Sequence, residues 1–247
     1  MRLIHLLFAC LAFAGGASAA QAQDPAAADI LKKTDAVRSP SANFAFNVRL
    51  QANTRSGQSE SEFEVRVRES TKSLVVYRQP VKQRGRAMLL DGPNMWIYIP
   101  GTSRPMRISA QQQLVGAVSN ADVARVVFSL DYDTERVEKL RADEGPALKL
   151  SLRAKQRTSS YQTIALWVGE RDYRPLKAEF YSLSGKLVRT IRYTGYQSVL
   201  GAQRPTVLEI ADAINPSAGA TLTFSDFEIK ETPAEHYQPS YLTRLSH

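Results

Sequence analysis

Residues 84–109 read RGRAMLLDGPNMWIYIPGTSRPMRIS and indicate two apolar strands joined at Asp91-Gly92. Pro93 and Pro100-Gly101 bound the second apolar run, as breakers do at strand ends. Both faces of that run are apolar, with Met95, Ile97 and Ile99 on one and Trp96 and Tyr98 on the other. A strand with one solvated face alternates more cleanly. The sequence therefore predicts a β-hairpin covered on both sides, by a core, a ligand or a lid.

Strand-like alternation continues on both sides of the hairpin. Before it, two runs around a Ser56-Gly57 turn alternate apolar and polar residues, which predicts two half-buried antiparallel strands. Their apolar members are Phe44, Phe46, Val48, Phe63, Val65 and Val67. After the hairpin the rhythm resumes near residue 133 and persists to residue 229. The total is about eleven short strands, typical of an antiparallel meander.

Two segments show helical spacing instead. Asp24-Pro25 is a cap followed by proline, and an apolar stripe runs from Ile30 to Val37, ending before Ser39-Pro40. A second helix is predicted after Asn120, a suitable cap. Its stripe consists of Val123, Val126, Val127 and Leu130, at positions i, i+3, i+4 and i+7.

A long antiparallel meander must curl to bury its apolar face and protect its edges. A helix inserted between strands can bury its stripe only against the concave face. We therefore predict a mainly β (α+β) fold: a single curled antiparallel sheet, an unclosed half-barrel, with two or three helices as a lid. Residues 23–247 are expected to form this one domain, whose cup could hold an apolar ligand.

The first residues predict export. Arg2 precedes an apolar run, residues 3–14, and small residues at 17–22 offer cleavage sites, so residues 1–22 are interpreted as a secretory signal peptide and the mature chain as periplasmic. An uncleaved anchor is the alternative, but the run is shorter than the ~20 residues that a spanning helix needs. A lipoprotein signal at Cys10 is a second alternative, and its surroundings fit poorly.

Composition argues against catalysis. Cys10 is the one cysteine of the chain, and the three histidines are His5, His236 and His247. Acid–base and zinc chemistry usually depend on such residues, so we expect no enzyme activity, cofactor or metal. The acidic pair around Tyr132 lacks the glycine and glutamate of a calcium loop. A net charge of +8 favours anionic lipid or an acidic partner over nucleic acid.

Three motifs of the chain resemble those of the LolA-like family of outer-membrane lipoprotein-sorting carriers, and they occur in the expected order. They are R-G-x-A-M-L at residues 84–89, M-W-I-Y-x-P at residues 95–100 and R-x-x-R-I-S at residues 104–109. Residues 174–181 and 184–187 extend the similarity, which covers essentially the whole mature chain.

The resemblance implies an unclosed half-barrel, lidded by helices, whose apolar cavity shields acyl chains in the periplasm without catalysis. Lipoprotein or lipid acyl chains would be the cargo, an inner-membrane exporter and an outer-membrane acceptor are possible partners, and a monomer is expected. Burying each methylene contributes about 0.8 kcal/mol, so an apolar cup could hold a chain without covalent help.

On this interpretation the ligand-binding residues are Phe44, Phe46, Val48, Phe63, Val65, Val67, Trp96, Tyr98, Val123, Val126, Val127 and Leu130. Trp96 and Tyr98 are expected on the concave side with the others, although plain core is an equal alternative. The segment from Leu114 to Leu130 is expected to act as a lid hinged at Gly116, and plain core packing is the alternative for its apolar stripe. Arg84, Arg86 and Leu114 are assigned to the lid or rim, and simple solvation is the alternative for the arginines.

Three functions follow. A periplasmic lipid or lipoprotein carrier is favoured. A non-carrier envelope module, with the cup filled by its own side chains and docking to a membrane protein or exporter, is the second. An enzyme using only Asp, Tyr or Lys is the third, and the missing histidines and cysteines disfavour it.

Overall fold

The structure is a computed structural model that describes residues 25–245, except 55, 111, 125, 126, 157, 158 and 160. The predicted signal peptide and Val126 therefore lie outside the described residues. The first helix, α1, spans Pro25–Arg38, as predicted. It buries Ala27, Leu31 and Thr34 against the sheet, the spacing of one helical face.

The chain then forms two runs of strands separated by a crossing. The first run is β1 (Phe44–Thr54), β2 (Gly57–Arg68), β3 (Lys72–Gln79), β4 (Ala87–Asp91), β5 (Asn94–Tyr98) and β6 (Met106–Ile108). The crossing carries β7 (Gln113–Val115), β8 (Val118–Ser119) and the short helix α2 (Asn120–Ala124). The second run is β9 (Tyr132–Ala142), β10 (Gly145–Ala154), β11 (Thr163–Gly169), β12 (Pro175–Tyr181), β13 (Leu187–Val199), β14 (Ala202–Asp212) and β15 (Ala220–Ile229).

Thirteen of these strands form one antiparallel sheet, in the order β6-β5-β4-β3-β2-β1-β15-β14-β13-β12-β11-β10-β9. Each run is a meander, and pairing of β1 with β15 joins them at the centre. We call β1–β6 the first half and β9–β15 the second half. The open edges are β6 and β9, so the sheet is an unclosed curl, as predicted.

The predicted strand number was too low. Within the described residues the sheet has 13 strands instead of about eleven. A separate two-stranded sheet, β7 with β8, lies in the crossing.

The hairpin β4–β5 is covered on both sides, as its two apolar faces predicted. Met88 and Met95 belong to the main core. Leu89 and Tyr98 belong to a second cluster on the opposite face. Short 3₁₀ helices at Ala234–Tyr237 and Pro239–Arg244 cover that face, with Tyr237 and Leu242 buried in the cluster.

The predicted face of Trp96 and Tyr98 was wrong. Opposed residues of an antiparallel pair share a face, and Trp96 lies opposite Leu89, which lies opposite Leu74. That face carries the second cluster, not the core that contains Phe46. Period-two alternation fixes a side chain relative to its own strand only, and register between hairpins decides the rest.

We call residues 109–131 the crossing segment, because it runs from the β6 edge to the β9 edge. The helix predicted to continue to Leu130 ends at Ala124. The amides of Phe128 and Ser129 donate to the carboxylate of Asp35, over 2.7 and 2.8 Å. Because those amides bond to α1 instead of to carbonyls one turn earlier, the backbone there is not helical.

Gly116 forms the turn between β7 and β8, with φ +55°. A Cβ at this position would lie 3.0 Å from the Cβ of Ala52 and 3.1 Å from the carbonyl oxygen of Asn53. The position favours glycine both for its left-handed backbone and for its close approach to β1. Gly116 thus fits a packed contact point better than a free hinge. Within the described parts of residues 25–245, no helix is long and apolar enough to cross a membrane.

Candidate functional site

A cavity of about 450 Å³ lies between the crossing segment and the concave face of the second half. Strand side chains of the second half form its floor: Tyr132, Ile164, Phe180, Arg189, Ile191, Tyr193 and Leu208. Val127, Phe128 and Leu130 of the crossing segment cover it. The first half contributes only turn residues and the β6 edge, through Thr71, Gly92, Pro93 and Ile108. The cavity is therefore a feature of one half of the sheet.

The cavity floor follows from the alternation of β13. Arg189, Ile191 and Tyr193 are buried at 5 %, 3 % and 4 % exposure. They lie two residues apart, so all three project from the same face. Burial raises the pKa of Tyr193 and also that of Tyr161, so both phenols stay protonated at neutral pH. The floor is thus uncharged except at Arg189.

Arg189 forms a buried ion pair with Asp122 of α2. Both Nη atoms donate to the carboxylate, one of them over 2.7 Å, and the two side chains are 6 % and 7 % exposed. The guanidinium stacks on Tyr161 and Phe180, 4.7 and 4.5 Å from the ring centroids. Burial alone would lower the pKa of Arg189, but the attraction and hydrogen bonds of Asp122 raise it. The pair fastens the crossing segment to the second half.

Asp122 is held from its own side as well. The backbone amide and the hydroxyl of Ser119 donate to Oδ2 over 2.7 and 2.8 Å. The bond from the Ser119 amide to the Asp122 carboxylate is one half of a capping box, in which an acid three residues after the cap reaches back to the amide of the cap. The two hydrogen bonds from Ser119 fix the orientation of the carboxylate that binds Arg189.

A second contact fastens the crossing segment to α1. Asp35 accepts the amides of Phe128 and Ser129, and Arg38, one turn later, lies over the Phe128 ring at 4.7 Å. Arg204 of β14 donates to the last carbonyls of α1, those of Ala36 and Val37. The end of α1 is thus fixed at the cavity wall, where Arg38 is a lining residue.

The cavity mouth lies where lining residues remain exposed. Leu130 is 43 % exposed, the highest value among the apolar lining residues of the crossing segment. Lys155, also a lining residue, keeps a side-chain exposure of 38 %. Leu130 and Lys155 therefore mark the opening of the cavity.

Of the predicted ligand-binding residues, Val127 and Leu130 line this cavity. Phe44 and Phe46 line an adjoining cleft of about 30 Å³, together with Phe224 and Phe227, and this cleft shares Arg38 and Leu208 with the cavity. That volume is far below the roughly 300–1,000 Å³ of small-molecule pockets. The cleft is therefore too small for an acyl chain as it stands.

The remaining predicted residues lie elsewhere. Five are packed into the main core at 0–1 % exposure, outside the lining: Val48, Phe63, Val65, Val67 and Val123. Trp96 and Tyr98 face the second cluster. Arg84 is exposed, Arg86 and Leu114 are half-buried, and the three are not among the lining residues. The acyl-binding role of this set stays a prediction.

The charged part of the site was not predicted from the sequence. Arg189 and Asp122 are 67 residues apart, and no local pattern joins them. Ser119-x-x-Asp122 carries a signal, since a capping box predicts where α2 begins. Strand alternation over residues 187–193 likewise marks Ile191 and Tyr193 as one face. Among the described residues, no group of three or more His, Cys, Asp or Glu could hold a metal ion.

The fold and cavity together define a class: an unclosed antiparallel half-barrel with an apolar pocket beneath a crossing segment. The structure of a LolA superfamily protein from Nitrosomonas europaea is 33% identical, covers 87% of this chain and 98% of that chain, and superimposes with a TM-score of 0.82. The chain belongs to the LolA-like family. A family model whose description is "Uncharacterized protein" matches residues 69–244.

More distant structures share the fold. A domain described as an outer membrane lipoprotein-sorting protein, from Vibrio parahaemolyticus, is 18% identical over 88% of this chain and 98% of that chain, with a TM-score of 0.76. A DUF1329 family protein from Desulfovibrio piger is also 18% identical with the same coverage, and its TM-score is 0.74. A comparison with curated proteins gave no match.

Proposed function

We propose that this protein is a non-catalytic carrier of the cell envelope. Exported to the periplasm and freed of residues 1–22, it binds an acyl chain of a lipoprotein or another lipid and moves it towards the outer membrane. The observation that carries the proposal is the cavity of about 450 Å³ in the second half, with aliphatic and aromatic walls. Membership of the LolA-like family supports it.

The cavity volume suits one chain. At about 450 Å³ the cavity lies within the roughly 300–1,000 Å³ of small-molecule pockets, so it can enclose methylene groups of one acyl chain. Burying each contributes about 0.8 kcal/mol, which is ample for reversible binding after the entropic cost of association. We therefore propose one acyl chain per protein, received from an inner-membrane donor and delivered to an outer-membrane acceptor.

The alternative from the sequence was an envelope module whose cup is filled by its own side chains. The first half meets that description, because its concave side chains are packed in the core. The second half does not, since its floor opens into the cavity. The carrier function is favoured by that difference.

Filling the cavity tests the proposal. Ile191→Trp places a larger side chain into the open floor, and should weaken binding of a neutral fluorescent acyl probe by at least about tenfold while the protein stays folded. Arg192→Trp is the matched control, because the neighbouring side chain projects from the other face of β13. Equal probe affinity in a folded Ile191→Trp protein would refute binding in this cavity.

A further inference from the structure

Among the cavity residues, Arg38 differs in that its guanidinium has no ion-pair or hydrogen-bond partner in the described part of the chain. It lies over two lining rings, 4.7 Å from the centroid of Phe128 and 5.4 Å from that of Tyr193. Among the residues that the structure describes, no carboxylate lies within 4.0 Å of it. Its N–H groups make no hydrogen bond to that same part of the chain. A half-buried arginine held by two rings thus keeps its donors for another partner.

The other charges around the cavity are engaged. Arg189 is neutralised by Asp122, which binds both of its Nη atoms and leaves only the buried Nε without a hydrogen-bond partner among the described residues. Lys155 donates to the carbonyl of Ser129 over 2.7 Å and lies 3.7 Å from Asp133. Asp35, the acid nearest Arg38 along α1, already accepts two backbone amides. The positive charge available to a ligand is therefore that of Arg38.

We propose that the ligand is a single-chain amphiphile with an anionic headgroup, a carboxylate or a phosphate, which the guanidinium of Arg38 binds. This proposal rests on the carrier function proposed above and names the ligand class for the same cavity. The chain would lie over Ile191 and Leu208, and the headgroup at the Phe128–Tyr193 side of the cavity. Arginine suits this task, since its planar fork binds both kinds of oxyanion through two parallel hydrogen bonds.

Competitors of equal chain length test the headgroup. Hexadecanoate, hexadecyl phosphate and hexadecanol, each below micelle formation, would displace a neutral fluorescent probe from the folded protein. At least one anion should bind about tenfold more tightly than the alcohol, as expected for a charge-assisted hydrogen bond. The carboxylate and phosphate arms show which oxyanion is preferred.

Variants of Arg38 test whether the preference for an anionic headgroup depends on this residue. Arg38→Gln should remove the anion advantage and leave hexadecanol affinity within about twofold of the unmodified protein. Arg38→Lys should keep part of the anion advantage. Lys32→Gln removes an equal charge from an exposed position of the same helix, and should keep all of it. If Arg38→Gln fails to fold, Arg38→Lys and the comparison of headgroups on the unmodified protein still decide.

Two results would overturn the proposal while leaving the carrier function intact. One is that hexadecanol binds as tightly as both anions. The other is that a full anion preference survives in folded Arg38→Gln. Failure of every competitor, the alcohol included, together with absence of probe binding, would instead refute the carrier function and the headgroup proposal with it.

Discussion

The two halves of the sheet have similar strand patterns, but their concave side chains have different surroundings. In the first half the concave residues are packed solid, with Phe63, Val65 and Val67 at 0–1 % exposure. In the second half, Ile191, Tyr193 and Leu208 face a cavity of about 450 Å³. Alternation assigns a side chain to a face, but the element above that face decides whether it becomes core or binding wall.

The crossing segment makes the difference. It contacts the first half closely, through Gly116 against β1 and through the Ser73 hydroxyl, which donates to the Ala124 carbonyl over 2.6 Å. Over the second half it is held by the ion pair of Asp122 with Arg189, by Lys155, which donates to the Ser129 carbonyl, and by Asp35 of α1, which accepts the Phe128 and Ser129 amides. Between these contacts the space beneath it stays open.

Truncating one phenylalanine in each half should give the largest contrast. Phe63→Ala removes a side chain packed against Tyr77 and should lower the free energy of unfolding by about 4 kcal/mol. Phe180→Ala enlarges a cavity that already exists, so it should lower the free energy of unfolding by less than half as much. Urea unfolding followed by circular dichroism measures both. Equal losses would erase the distinction between a packed and an open half.

Breaking the buried ion pair comes next. Asp122→Ala leaves the Arg189 charge buried without its partner, and should cost about 3 kcal/mol of unfolding free energy. The double variant Asp122→Ala with Arg189→Met should recover most of that loss, because it removes both charges together. Urea unfolding of the unmodified protein, the single variants Asp122→Ala and Arg189→Met, and the double variant completes a double-mutant cycle. Additive losses would show that the pair does not fasten the crossing segment.

Gly116→Ala tests the contact with the first half. The strained backbone and the short distances to Ala52 and Asn53 should lower the unfolding free energy by about 2 kcal/mol. Gly185→Ala is the control, since Gly185 also has a positive φ, +77°, but no atom within 4 Å of an added Cβ. A cost no greater than that of the control would mean that the turn is not closely packed on β1.

The smallest expected effect is a pH dependence at Asp35. Burial raises the pKa of this carboxyl above its ordinary 3.8, against the lowering effects of the Phe128 and Ser129 amides and Arg38. The folded protein therefore holds the proton more tightly than the unfolded chain, and Asp35 makes unfolding free energy fall as pH rises between 3.8 and the raised folded pKa. Above the folded pKa, the contribution of the Asp35 proton to the free energy of unfolding is lost completely.

Asp35→Asn checks this sign. The free energy of unfolding of the unmodified protein minus that of the variant should decrease as pH rises from about 4 to about 7. The subtraction removes other carboxyls, such as Glu64 and Glu179, whose lowered pKa values act in the opposite sense. A difference independent of pH would show that Asp35 titrates alike in folded and unfolded protein.

The sequence predicts local features of this fold well. Period-two runs gave the strands, and the Asp24-Pro25 start and the Ser39-Pro40 stop gave α1. The two apolar faces of residues 95–99 predicted cover on both sides. The LolA-like resemblance was confirmed. Each of these features depends on neighbouring residues or on motifs that the chain carries within short stretches.

Long-range features could not be predicted in the same way. The face of Trp96 depends on register across several hairpins, and the cover of that face comes from residues near the end of the chain. The helical stripe after Asn120 predicted too long a helix, because a carboxylate from α1 takes the amides of Phe128 and Ser129. Arg38 and Arg189 become site residues only through partners far away in sequence.

A crystal structure with a terminally brominated fatty acid would show where an acyl chain binds, because anomalous scattering locates the bromine. We predict one ligand per protein, its chain beneath Val127 and above Ile191, with the bromine inside the cavity of the second half. A ligand seated among Phe63, Val65 and Val67 in the first half, or on the opposite face beside Trp96, would contradict this prediction.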